Sequence, residues 1–113
     1  MPQFTFSQAM TANQQGLDAL ALWQYRYAPY RCRVTVYDNA TTVGVRLTIT
    51  TGSMTVQQKS PAQGGATAGV FGTAFNVVPV DFVAESGDRI SIVHDEVLGG
   101  TPTVNVLVSL DPI

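Results

Sequence analysis

Apolar residues recur at every second position through most of this chain, and that alternation narrows the fold more than any other feature. Val34 and Val36 follow Cys32 at steps of two, and Val43, Val45, Leu47 and Ile49 repeat the pattern. Ile90 and Ile92 lead to His94, and Val104, Val106, Val108 and Leu110 close the chain. A period of two puts these side chains on one face of an extended strand, whereas a helix needs apolar residues three or four apart. Turn chemistry separates the runs at Asp38-Asn39-Ala40-Thr41, Thr51-Gly52, Glu85-Ser86-Gly87-Asp88 and Gly99-Gly100-Thr101-Pro102. Pro79, with an apolar run on either side, marks a bent or edge strand at 75–83. The pattern predicts an all-β fold of about eight strands, an antiparallel β-sandwich with jelly-roll or Greek-key connections. A chain of 113 residues makes one domain, 1–113. Residues 1–20 place Phe4 and Phe6 in alternation before a Thr-, Asn- and Gln-rich stretch. They read either as a short strand and loop or as an N-terminal arm reaching onto a neighbour. The run Leu17-Asp18-Ala19-Leu20-Ala21-Leu22 has helical propensity but is short for a helix.

Face matching suggests three hairpins. With Asn39-Ala40 as a loop, Val36 meets Val43, Val34 meets Val45 and Cys32 meets Leu47. The same register sets Arg33 opposite Arg46, a destabilising like-charge pair, so either the register differs by two or something anionic lies there. With Thr51-Gly52 as a loop, Ile49 meets Met54 and Leu47 meets Val56, so residues 31–59 read as a three-stranded meander. At the C-terminus, Ile90 pairs with Leu110 and Ile92 with Val108, which puts Val93 beside Leu107 on the outer face. An apolar outer pair calls for cover from a neighbouring subunit or from the N-terminal arm.

The stretch Trp23 to Arg33 holds the sole Trp, the sole Cys, three of the four Tyr and three of the six basic residues. Trp23, Tyr25 and Tyr27 alternate with Gln24 and Arg26, which predicts a strand that Pro29 then bends. Aromatic and Arg side chains interleaved in this way can stack on bases and hold phosphates of single-stranded nucleic acid. They are also the types most enriched at protein contacts. Net charge is −2, so electrostatic affinity for nucleic acid is modest and a protein contact is favoured. The contact candidates are Trp23, Tyr25, Arg26, Tyr27, Tyr30, Arg31, Arg33, Arg46, Val93 and Leu107. Charged residues make up only 12% of the chain, about half the usual share of roughly 25%, which suits packing against copies of itself. The basic residues Arg26, Arg31, Arg33, Arg46 and Lys59 precede residue 60, whereas all but two of the acidic residues follow it. Opposite signs in the two halves either serve head-to-tail docking between subunits or neutralise each other inside one sandwich.

No catalytic, metal or cofactor signature stands out, and a non-enzymatic protein is expected. His94-Asp95-Glu96 sets the sole His beside carboxylates, but adjacent strand residues point to opposite faces and no second His can complete a metal site. Cys32, on the apolar face, reads as a buried, inert thiol. The loop from Ser60 to Gly69 is Gly-rich yet lacks the Lys-Ser/Thr ending of a phosphate cradle. One Cys excludes an internal disulfide. There is no basic segment leading into an apolar core at the N-terminus, and no apolar run approaches the roughly 20 residues of a membrane span.

Ala84-Glu85-Ser86-Gly87-Asp88-Arg89-Ile90-Ser91-Ile92 combines small residues, a Gly-Asp turn and an alternating strand. This resembles the viral and tumour-necrosis-factor-like jelly rolls. The Thr-, Gln- and Gly-rich surface, the turn before the last strand and the short C-terminal tail resemble small structural proteins of tailless or short-tailed bacterial viruses. The resemblance implies a virion location and a capsid subunit or a decorating or cementing protein, with the chain's length favouring the minor role. It implies as partners further copies of the chain, as a trimer or pentamer, and other capsid proteins. The alternative from another class is a glycan- or small-ligand-binding module in which Trp23, Tyr25 and Tyr27 stack on sugar rings.

Overall fold

A computed structural model describes residues 3–71 and 79–113. The chain forms β1 (Gln3–Ala9), β2 (Leu17–Asp18), β3 (Cys32–Ala40), β4 (Val45–Thr51), β5 (Met54–Pro61), β6 (Val80–Ala84), β7 (Ile90–Glu96) and β8 (Thr103–Pro112). Two four-stranded sheets result, ordered β1-β8-β3-β6 and β2-β7-β4-β5, and every pairing is antiparallel. Apart from β4 and β5, strands consecutive in the chain lie in opposite sheets. That is the connectivity of an eight-stranded jelly roll. The strand expected at 75–78 lies outside the described residues. Among the described residues no helix is long and apolar enough to cross a membrane.

Alternation places the core as expected. Val34 and Val36 of β3, Leu47 and Ile49 of β4, Ile90 and Ile92 of β7, and Val106, Val108 and Leu110 of β8 are buried between the sheets. Each contributes about 1.5–3 kcal/mol by leaving water. Leu20, Trp23 and Phe82 join the same cluster, and Cys32 is fully buried there with its thiol pKa raised by desolvation.

The strand partners differ from the face-matched hairpins. Cys32–Ala40 is one continuous strand, so Asn39-Ala40 is not a loop. Its neighbours are β6 and β8, not β4, and the meander over 31–59 does not form. The β4–β5 hairpin does form, but Thr51 pairs with Met54, so Gly52-Ser53 is the loop and Gly52 takes φ +57°. A bulge then shifts the register along this hairpin, near Lys59 with its positive φ of 49°. At the C-terminus β7 pairs with β2 and β4, while β8 pairs with β1 and β3. Ile90 and Leu110 therefore enter the core from opposite sheets instead of pairing along a ladder. Of the two readings of the N-terminus, residues 3–9 form a strand on β8 of their own chain. Leu17–Leu22 holds β2 and turns instead of a helix, with the Leu17–Asp18 backbone paired to His94 and Val93.

Glu96 ties down one end of the sandwich. Its fully buried side chain accepts hydrogen bonds from the Asn13 amide (3.0 Å), the Leu98 amide (3.0 Å) and the Gly99 amide (2.7 Å). The Glu96 amide in turn donates to the Gln14 carbonyl at 2.8 Å, and Asp95 accepts from the Gly16 amide at 2.9 Å. The Asn13 amide foremost, with those of Leu98, Gly99 and Gly100, holds the Glu96 carboxyl below its ordinary pKa, outweighing the opposite push of burial. A depressed folded pKa stabilises the fold above the ordinary value of 4.5 and is lost as pH falls through the folded value. Glu96→Gln is expected to lower stability at neutral pH and to flatten the acid limb of the profile. Denaturant titrations between pH 3 and 7, read as roughly two-state transitions, check this; an unchanged acid limb would contradict it.

Candidate functional site

Residues 23–27 do not form the strand that their alternation suggests, whereas Cys32 and Arg33 do begin a strand, as β3. Residues Gln24–Arg26 make a single 3₁₀ turn between extended Trp23 and Tyr27. Trp23 is 8% exposed, stacked on Phe4 with ring centroids 5.2 Å apart, and meets the edge of Tyr25 at 5.6 Å. It is a core residue and offers no stacking platform to a sugar or a base. Tyr25 and Tyr30 are half-buried against the same cluster. The turn projects Tyr27, 49% exposed, between two guanidinium groups: Arg26 at 5.7 Å and Arg89 at 5.9 Å from the ring centre. Arg26 also donates to the Ala21 carbonyl at 2.6 Å. Arg89 arrives through the backbone bridge Tyr27–Arg89, a partner that sequence spacing did not indicate.

The remaining arginines are spread over two sheets. Arg31 pairs with Glu85 at 3.1 Å and Arg33 with Asp81 at 3.1 Å, while Arg89 reaches Asp18 at 3.9 Å. These bridges join basic residues to acidic ones drawn largely from the other half of the chain, which is the internal-neutralisation reading of the charge asymmetry. Arg33 and Arg46 never face each other. Arg33 lies opposite Asp111 and Val83 on the first sheet, and Arg46 opposite Asp95 and Pro61 on the second. The expected charge clash is therefore absent, and no anion is needed to relieve it. The Val93–Leu107 pair is likewise not formed. Val93 sits between Asp18 and Thr48 on the outer face of the second sheet. Leu107 sits between Thr5 and Tyr37 on the outer face of the first. The N-terminal strand thus flanks Leu107 on one side, and both residues remain half-buried.

A second constellation lies inside the sandwich. His94 of β7 and Asp38 of β3 meet across the two sheets, with Nε2 and Oδ2 2.6 Å apart and both side chains almost wholly buried. Burial lowers the His94 pKa, but the Asp38 charge and hydrogen bond outweigh it. The Leu17 backbone and the Asp18 carboxylate add to the upward shift, so the net direction is up and the imidazolium is favoured. The other carboxylate oxygen, Oδ1, is buried and meets no hydrogen-bond donor. The Asp38-Asn39 turn signal does not hold, because Asp38 lies within β3. The signal that finds it is the continuation of Cys32, Val34, Val36 by one more step of two, which sets a carboxylate on an inward position of a strand. Among the described residues no group of three or more His, Cys, Asp or Glu converges on a point where a metal ion could sit.

Asn105, on the outer face of β8, is fully buried beneath the Gly-rich loop. It accepts from the Ser7 hydroxyl and the Gly69 amide and donates to Asn39 and to the Thr67 carbonyl. The loop thus lies against the first sheet, held by backbone and amide groups. A scan against protein-family models, a search of curated proteins and a search of solved structures each returned no match.

Proposed function

We propose that this chain is a non-enzymatic structural subunit of a virus particle, a minor capsid, decorating or cementing protein that associates with copies of itself and packs on a protein shell. The observation that carries the reading is the jelly-roll strand order, built from 113 residues with short connections at most turns. Capsid subunits, lectin domains and cupins all use this connectivity, and fold alone selects none of them. The surface favours assembly. It carries few charges, and Leu22, Val43 and Leu98 stand in solvent with 96%, 69% and 69% exposure. The outer face of the first sheet adds the row Thr5–Leu107–Tyr37, and half-exposed Val83 lies two rows away. A glycan-binding alternative loses Trp23 to the core and would rest on Tyr27 and its flanking arginines.

Light scattering on the purified protein is expected to give a mass three- or fivefold that of the 12.1 kDa chain. Leu107→Asp is expected to reduce that mass without lowering the melting temperature. Val93→Asp, on the opposite face, is expected to leave it unchanged. A strict monomer at millimolar concentration, absent from particles, would end this reading.

A further inference from the structure

β1 is the outermost strand of the first sheet and pairs with β8 on one side only. The contacts of Thr103 fix which of its backbone groups face outward. The Thr103 carbonyl accepts from the Thr41 amide at 3.0 Å, and the Thr103 amide donates to the Thr41 hydroxyl at 3.0 Å. Both polar groups of Thr103 thus point toward the β3 side, away from its β1 partner Ala9. In an antiparallel ladder a residue sends its N–H and C=O to the same side, and successive residues alternate. Phe4, Phe6 and Gln8 therefore bond to β8, and the Met10 amide continues the series by donating to the Pro102 carbonyl at 2.7 Å. Gln3, Thr5, Ser7 and Ala9 aim their backbone amides and carbonyls outward. All four residues are exposed, and among the described residues nothing bonds those outward groups.

The other sheet edges are guarded. β6 has five residues, follows Pro79 and carries Asp81. β5 carries Lys59 in a left-handed conformation, shifts register against β4 and ends in Pro61. β2 is two residues long. Charge, proline, bulges and shortness are the devices that keep a sheet edge from pairing with another chain. β1 has none of them: its seven residues keep one register along β8 and include no charge and no proline.

We propose that β1 is a docking edge for β1 of a second copy, paired antiparallel about a twofold axis so that the first sheets of two chains become one. This inference rests on the self-association proposed above and gives it a contact separate from Leu107. A second copy fits because a twofold axis sets a patch against itself, where like charges repel, and this strip has none to oppose. On the outer face Gln3, Thr5 and Ser7 lie beside Ser109, Leu107 and Asn105 of β8, all uncharged. On the inner side an apolar groove of about 320 Å³ runs along the edge, walled by Phe4, Phe6, Leu17 and Leu22. Asp18 is the one ionisable side chain among its described lining residues, and it is already engaged by the Leu20 amide and Arg89. Pairing Thr5 with the partner's Ser7, and Gln3 with the partner's Ala9, uses every outward group and overlaps the whole strand. It sets Phe6 beside the partner's Phe6 at a position without ladder bonds, where side chains approach closest.

Amide hydrogen exchange on the full chain, read by NMR from about 50 µM to about 2 mM, tests this, since one strand pairing is a small contact that fills only at high concentration. Exchange at Thr5, Ser7 and Ala9 is expected to slow at least about threefold over that range, while Phe4, Phe6, Gln8 and the amides of β5 and β6 keep one rate throughout. Thr5→Pro removes an outward N–H and no bond to β8, so it is expected to keep the folded spectrum and lose the concentration dependence at Ser7 and Ala9. Thr5→Lys adds the kind of charge that guards an edge and is expected to lose it as well. Slowing confined to β5 or β6, equal slowing at alternate residues of β1, or full dependence in a folded Thr5→Pro chain would each overturn the proposal. A strict monomer at millimolar concentration ends both this inference and the assembly reading. An oligomer whose Thr5, Ser7 and Ala9 amides stay unprotected at every concentration ends this inference alone.

Discussion

Asp38→Ala is expected to cost about 3–5 kcal/mol of folding stability, because it strands His94 inside the sandwich without its partner. Removing both members should do the opposite. Asp38→Leu/His94→Leu replaces an ion pair by apolar groups facing Val36 and Leu47, and such exchanges are commonly neutral or stabilising by about 1–4 kcal/mol. The pair joins β3 to β7, one strand from each sheet, at 2.6 Å. Urea denaturation of the wild type, both single variants and the double variant measures the coupling as a cycle. Wild-type stability from Asp38→Ala would show that the pair is not what fills this part of the core. The pH dependence has a definite sign. A folded His94 pKa above its ordinary 6.5 contributes stability that is complete below 6.5 and is lost as pH rises through the folded value. The wild type should therefore weaken on the alkaline side of pH 6.5, with a slope that the double variant lacks.

Trp23→Ala is expected to destabilise the fold by about 3–5 kcal/mol, the cost of emptying a large aromatic site in a packed core. The loss includes the stack on Phe4, a pair geometry worth about 0.5–1.5 kcal/mol beyond its buried area. Tyr27→Ala, two residues on, should cost no more than about 1 kcal/mol, the usual scale of an exposed cation–π contact. Thermal melts of the two variants decide whether this segment is core or contact. If Trp23→Ala melts like the wild type but fails to self-associate, Trp23 is a contact residue and its place in the core is wrong.

These residues also mark how far the sequence could be read. The inward faces of β3, β4, β7 and β8 are legible from alternation alone, and so is the place of His94 on the inner side of its strand. Asp38 is not, because Asp beside Asn is ordinary turn chemistry, and pairing with β8 on one side and backbone bonds to Gln63 and Ala66 on the other keep the strand extended through Ala40. Trp23, Tyr25 and Tyr27 looked like a strand over too few residues to distinguish it from an extended segment interrupted by one 3₁₀ turn. Glu96 carried no signal, since its partners are backbone amides of two separate loops.

Alternation belongs to one strand's own backbone, so the chain alone could say which side chains point inward, that the fold is all-β, and where most turns fall. Neighbours are another matter. Any two strands with apolar inner faces satisfy the same face-matching rule, so it cannot tell a hairpin from two strands lying across the core. Which strands pair is set by the tertiary arrangement, in which seven-residue β1 closes on β8 and most connections cross from one sheet to the other. That closure buries both apolar faces at once, which a local meander of the same strands would leave half in water. It also brought Asp38 to His94 and separated Arg33 from Arg46, and neither outcome is encoded in spacing along the chain.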